Sequence, residues 1–301
     1  MSATTNDVPM VANPLPSLCR VDVHTHLGQH GTHVCDPLAS EEVRAWGKVS
    51  WDVEPDDHVA SEQRAERAIV LAFDAEPVGV VVDNAYVAGY VAEQPGMIGF
   101  ASVNPTRPDA VDRLQDAVET LGLRGLKLGP CYQHFDPHSS RAWDLLELAE
   151  SYRLPVVWHQ GTTFTSAAVM DYARPLRLDA VARRFPELRM WIAHMGHPWS
   201  EEAVSVARRH EHLFLDVSAL DTRPWQLAQA LVQAWEYRCW DRLLFGSDYP
   251  FSTVERTVAG LRSAAGTCRR LGIAEITDDD IDQICRRDAL RLLGLSEGAK
   301  P

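Results

Sequence analysis

The sequence predicts an α/β fold, a (β/α)8 TIM barrel with a long loop insertion after its first strand. Two observations carry this reading. Eight short apolar runs, each bounded by turn formers, recur along the chain. Amphipathic helical patterns lie between most of them, an alternation that implies right-handed crossovers and a parallel sheet. The length agrees, at 301 residues, since a barrel of this kind typically takes about 250 residues.

Residues 20–24 make the first run and 68–73 the second. Residues 97–103 stop at Asn104-Pro105, and 124–128 stop at Gly129-Pro130. Residues 155–158 run into His159-Gln160-Gly161, and 188–193 into His194-Met195-Gly196. Residues 213–217 and 242–245 complete the set, the last run leading to Gly246-Ser247-Asp248. Residues 78–82 read either as strand or as a helix entry.

Among the helices, 109–121 follows Pro108 and places Val111, Leu114, Val118 and Leu121 at three- and four-residue spacing. Residues 140–152 put Trp143, Leu146 and Ala149 on one face behind a Ser139 or Ser140 cap. Ser200 is an expected cap ahead of Glu201 and Glu202, whose charges suit a helix N-terminus. Residues 225–240 form the next helix, with Trp225, Leu231 and Trp235 expected to pack on the barrel. Thr277 and Asp280 fit a capping box that opens a last helix ending near Gly294. Residues 27–67 are the insertion, with His30, His33, Cys35, Trp46 and Trp51. A loop of that length on a barrel end reads as a candidate lid. A flexible leader over 1–17, one domain over 18–295 and a tail over 296–301 complete the expected organisation.

The formal net charge of −13 disfavours phosphate backbones and anionic membranes, so neither nucleic acid nor a membrane is an expected partner. No apolar run is long enough to span a bilayer, and the N-terminus has no signal-peptide core. The six cysteines are scattered, without a C-x-x-C pair, and read as free thiols of a reducing, cytoplasmic compartment. The expected partner is a small-molecule substrate, and a homo-oligomer is allowed.

Chemistry collects where a barrel brings its strand ends together. His24 and His26 lie two residues apart on the first strand and therefore point to one face. Lys127, His159, His194 and Asp248 end four other runs. Singly, each has a plainer reading: a satisfied core histidine, a turn-forming aspartate, a solvated lysine. Their recurrence at one end of the barrel points to a metal site. His197 and His134 are weaker candidates for substrate contact, and His58, His210 and His212 read as surface residues.

Together these pieces resemble the amidohydrolase superfamily of metal-dependent barrel enzymes, most closely its amidohydrolase-related branch. The resemblance rests on Val21-Asp-Val-His-Thr-His26, Gly125-Leu-Lys-Leu-Gly-Pro130, Trp158-His-Gln-Gly161, Ala193-His-Met-Gly196, Leu244-Phe-Gly-Ser-Asp-Tyr-Pro250 and the closing Ala289-Leu-Arg-Leu-Leu-Gly-Leu295. Asp288 departs from it, standing where that branch usually has Asn. The resemblance implies that His24, His26, His159 and Asp248 bind one divalent metal, Zn²⁺ with Mn²⁺ or Fe²⁺ as alternatives. Such an ion makes a water reactive near neutral pH. Asp248 would take that water's proton, and His194 would contact the water or the developing oxyanion. Lys127 would meet a substrate carboxylate or carbonyl. In a binuclear arrangement it would instead be carboxylated and bridge two ions, with His159 and His194 on the second. Gln160, Tyr132, His197 and Trp199 are the expected substrate wall. The function implied is hydrolysis of a small ester, lactone or amide. Nonoxidative decarboxylation of an aromatic or unsaturated acid is the alternative, and a non-catalytic binding protein the third reading.

Overall fold

The computed structural model of the protein describes residues 16–48 and 51–295. The leader expected over 1–17 lies outside these residues but for its last two, and the tail over 296–301 lies wholly outside.

Eight parallel strands follow one another round a barrel in sequence order. They are β1 (Cys19–Thr25), β2 (Ala65–Leu71), β3 (Met97–Ser102), β4 (Leu126–Leu128), β5 (Val156–Trp158), β6 (Met190–Ile192), β7 (Leu213–Asp216) and β8 (Leu243–Leu244). All eight expected runs are strands. The seam between β8 and β1 is closed by backbone hydrogen bonds. Val23 N–H donates to Phe245 O (3.0 Å), Asp248 N–H to His24 O (2.8 Å) and His26 N–H to Tyr249 O (2.8 Å).

Branched and aromatic residues fill the barrel interior, as close packing of converging strands requires. Val21, Val23, Ile69, Phe100, Trp191 and Phe214 form one buried cluster, closed from below by Ala289, Leu293 and Leu295. Val21 and Val23 thus point inward, and strict alternation would send His24 to the outer face. The β1–β2 register shifts between Asp22 and Thr25. A bulge of this kind re-aims the residues beyond it, so His24 and His26 also face the barrel mouth. Outside the strands, a second core packs them against the helices.

Most expected helices form, within a few residues: Ala110–Glu119, Ser140–Ser151 capped by Ser139, and Pro224–Glu236. Three details differ. Ser200 is the first residue of helix Ser200–Arg209 and not its cap, because its hydroxyl donates to Gln233 Oε1 (2.6 Å). The Thr277 capping box forms, but helix Asp278–Cys285 stops early. Asp288 caps a separate helix, Ala289–Leu292, by accepting from Arg291 N–H, a role Asn fills equally well. Trp225 is 69% exposed, because its helix buries the opposite face, Leu227, Ala230, Leu231 and Ala234.

The insertion carries helices Asp36–Trp46 and Pro55–Ser61. Residues 78–82 resolve into a turn and a strand, Val80–Val82, antiparallel to Phe73–Ala75. That hairpin joins the insertion through Val81 N–H to His33 O (2.8 Å) and Cys35 N–H to Gly79 O (2.9 Å). No helix of the described residues is long and apolar enough to cross a membrane.

Candidate metal centre

The bulge in β1, the seam at β8 and the turn after β6 bring the site together. His194 (φ 55°) and Asp248 (φ 63°) both adopt the left-handed region as their strands end, a conformation that costs roughly 1–3 kcal/mol for a non-glycine residue. Asp216 offsets it at His194 by accepting the His194 backbone N–H (2.8 Å). At Asp248 the hydrogen bond to His24 O fixes the turn.

His24 Nε2 lies 3.2 Å from His26 Nε2 and 3.4 Å from Asp248 Oδ1, and His26 Nε2 lies 3.6 Å from Asp248 Oδ1. Two ligands each ~2.1 Å from a common tetrahedral ion stand about 3.4 Å apart. The three atoms therefore have the spacing of a shared ion. Donor atoms of His24, His194 and Asp248 also lie within 4.8 Å of one another. The His194 ring stacks on His24 at 4.9 Å, and His159 meets His194 edge-on at 5.1 Å. His159 Nε2 is buried with no hydrogen-bond partner, an orphaned lone pair that an ion would satisfy. The donor set fits a divalent cation.

Electrostatics agree. Burial pushes His24, His26 and His194 well below 6.5, and His159 down to about 3 with Lys127 adding to the effect. All four imidazoles are neutral, the form that ligates. Burial raises Asp248 well above the ordinary carboxylate range, against the attraction of Lys127; a bound cation would reverse that shift. Burial lowers Lys127 to about 8, opposed by Asp248 and Asp216. Its Nζ lies 3.3 Å from His24 Nε2.

Above these groups is a cavity of about 270 Å³. Its walls are largely aromatic: Trp46 and Trp51 from the insertion, Phe73, Tyr132, Phe164 and Phe251. Trp51 stacks on Phe73 (6.1 Å, 14°). Lys127, His159, His194, His197 and Asp248 reach the cavity, whereas Gln160, Trp199 and His134 are not among its lining residues. Gln160 is turned away: its buried amide faces the Tyr172 and Ala173 carbonyls at 2.9 and 2.8 Å, and the amide orientation that satisfies them is the one with its nitrogen on that side. Trp199 lies under the Arg174 guanidinium (4.8 Å). His58, expected at the surface, is fully buried. It bonds Thr25 Oγ1 and Tyr90 OH, both at 2.9 Å, because its helix packs against β1. His210 pairs with Asp179 (2.9 Å).

Sequence reading missed Asp216. Its carboxylate meets His24 Nδ1 (2.8 Å), Trp191 Nε1 (3.2 Å) and the Ser218 backbone N–H (3.1 Å), and Ser218 in turn meets His194 Nδ1 at 2.7 Å. The signal was present: an acid and a serine two residues apart end the apolar run Leu-Phe-Leu-Asp-Val-Ser.

A family model described as Amidohydrolase matches residues 21–295. No curated protein matches the sequence significantly. Among solved structures, a TIM-barrel protein from Bordetella bronchiseptica is similar at 22% identity and TM-score 0.68, over 91% of this chain and 99% of that one. A dihydroxybenzoic acid decarboxylase from Polaromonas, with bound manganese and the inhibitor 2-nitroresorcinol, is similar at 17% and 0.62, over 92% and 97%. A protein named for 2-pyrone-4,6-dicarboxylic acid hydrolase from Acinetobacter baumannii, with citric acid bound, is similar at 14% and 0.61, over 92% and 99%. At these identities the likeness is one of fold.

Proposed function

The chain belongs to the amidohydrolase family, and from that premise we propose that it is a metal-dependent hydrolase of a small-molecule ester, lactone or amide. The observation that carries this is the convergence of His24, His26 and Asp248 at 3.2–3.6 Å on the floor of an aromatic cavity. These residues, with His159 beside the His194 ring, would hold one divalent cation, Zn²⁺ by donor type with Mn²⁺ or Fe²⁺ as alternatives. When bound, the cation supplies Lewis acidity and a water reactive near neutral pH.

Asp248 would accept that water's proton at a carboxylate oxygen and return it to the leaving group. His194 has its Nδ1 against Ser218, whose hydroxyl donates to Asp216. Nδ1 therefore carries the proton, and Nε2 is left to accept from the attacking water and orient it. This supports the water contact over the oxyanion contact. The Lys127 ammonium would stabilise charge developing on the substrate oxygen. The aromatic walls would exclude bulk water. Six free cysteines, five of them buried, support a reducing, cytoplasmic setting.

Nonoxidative decarboxylation is a second reading, favoured by the Trp51–Phe73 stack beside Lys127. Flat apolar walls accept a ring, and an ammonium accepts its carboxylate. The test is turnover of an ester and lactone panel in parallel with carbon dioxide release from hydroxybenzoates. Hydrolysis that depends on added divalent metal supports the first reading. Carbon dioxide release without hydrolysis overturns it in favour of the second.

A further inference from the structure

Among the described residues that line the cavity there is one arginine, outside the cluster of donor side chains but within the electrostatic reach of Asp248. Arg223 caps helix Pro224–Glu236, just beyond β7. Its Nη1 donates to Ala219 O (2.8 Å) and lies 3.4 Å from Thr222 Oγ1, and its guanidinium lies over the Trp46 ring at 4.8 Å. One edge of the fork is thus anchored to its own loop and one face to the insertion. Among the described residues no carboxylate forms an ion pair with it. Asp248 and Asp221 attract it only at longer range, and Asp221 is paired with Arg256 at 2.8 Å.

The charge balance of the cavity makes this unusual for so acidic a chain. Its lining holds Lys127 and Arg223 against Asp221 and Asp248. Asp221 is neutralised from behind by Arg256, and Asp248 belongs to the metal centre. What remains is a positive pocket in a protein of net charge −13. A half-buried guanidinium with unused donors is partly desolvated and gains from a planar anion that can take two of its N–H groups.

We infer that Arg223 is a specificity-determining residue that binds a carboxylate on the substrate, remote from the reacting carbonyl, so that the enzyme takes small planar carboxylate-bearing esters, lactones or amides. This rests on the reading above for the placement of the substrate in the same cavity.

Benzoate and benzamide test it, being equal in shape and different in charge. Trp46 and Trp51 line the cavity, so binding is followed by tryptophan fluorescence, in the protein as purified and again with excess chelator. Benzoate should bind at least about tenfold tighter than benzamide, the value of a hydrogen bond to a charged group, and should keep that preference with the chelator present. Arg223→Gln and Arg223→Met should each erase the preference and leave benzamide binding unchanged, while Arg223→Lys keeps part of it. Equal binding of the two probes overturns the inference. So does a preference that survives Arg223→Gln, or one that the chelator alone removes. With excess chelator a metal-dependent hydrolase turns over neither probe, so discrimination read in that arm can hold while hydrolysis fails, and the reverse.

Discussion

His24 and Asp216, 192 residues apart, meet at 2.8 Å between Nδ1 and Oδ2, both side chains without solvent exposure. A carboxylate only accepts, so His24 carries its proton on Nδ1 and turns a bare Nε2 towards His26 and Asp248. Asp216 also reaches His194 through Ser218, and so sets the proton position on two rings at once.

Replacing this carboxylate by an amide keeps the shape and changes the proton logic. Asp216→Asn can donate to His24 Nδ1, which moves the ring proton onto Nε2. Metal affinity should fall about 10–100-fold, the usual effect of losing a partner behind a ligating histidine. Titration against a competing chelator measures it. An unchanged affinity would show that the Asp216 contact is structural only.

Metal content follows from the donor spacing. The purified protein should carry about one equivalent of divalent metal, and the double substitution His24→Ala with His26→Ala should remove it. Elemental analysis of the two proteins decides the matter. Two equivalents with a carboxylated Lys127 would select the binuclear arrangement instead.

Asp248→Asn separates ligation from proton transfer. The amide oxygen can still approach an ion, but it takes no proton at neutral pH. The rate should drop on the order of 10²–10⁴, chiefly in kcat, because the interaction strengthens as the water loses its proton. Near-native kcat with metal retained would place the base elsewhere.

His58 supplies a pH test away from the donors. Burial pushes it down to about 4, so the folded state holds it neutral where the unfolded chain, at 6.5, takes up a proton. The unfolded state therefore binds more protons below pH 6.5. Stability that is fully present above that value is lost as the pH falls towards 4. His58→Gln should cost about 1–3 kcal/mol near neutral pH, since Thr25 and Tyr90 lose their partner. It should also make stability depend less on pH across that window. Thermal melts of both proteins across it would show the difference. Parallel curves would assign the acid sensitivity to other groups.

The strand order and the converging strand ends were legible because both follow from period and spacing. Each apolar run ends at a turn former, and the chemistry-bearing residues sit at those ends. What was not legible depends on contacts between distant segments. The bulge that turns His24 inward arises where β1 pairs with β2, and nothing in Val21–Thr25 alone announces it. Asp216 reads as an ordinary strand-end acid until the barrel closes and its side chain reaches His24 on β1 and Trp191 on β6. Gln160 looked like a wall residue from its place beside His159, and the carbonyls of Tyr172 and Ala173 turn it aside. His58 was misplaced for the same reason, since its polar partners lie on two other elements.

The seam between β1 and β8 has one more consequence. A ring of eight strands has no covalent bond where its last member meets its first, and here that joint is bridged by a few backbone hydrogen bonds. His24 and His26 stand on one side of it and Asp248 on the other. An ion held between them would therefore act as a clasp on the circumference, tying the two ends of the domain's strand order. Whatever binds the folded ring and not the open chain adds to its stability by mass action. Metal supply would then govern how firmly the ring stays shut as well as how fast it works.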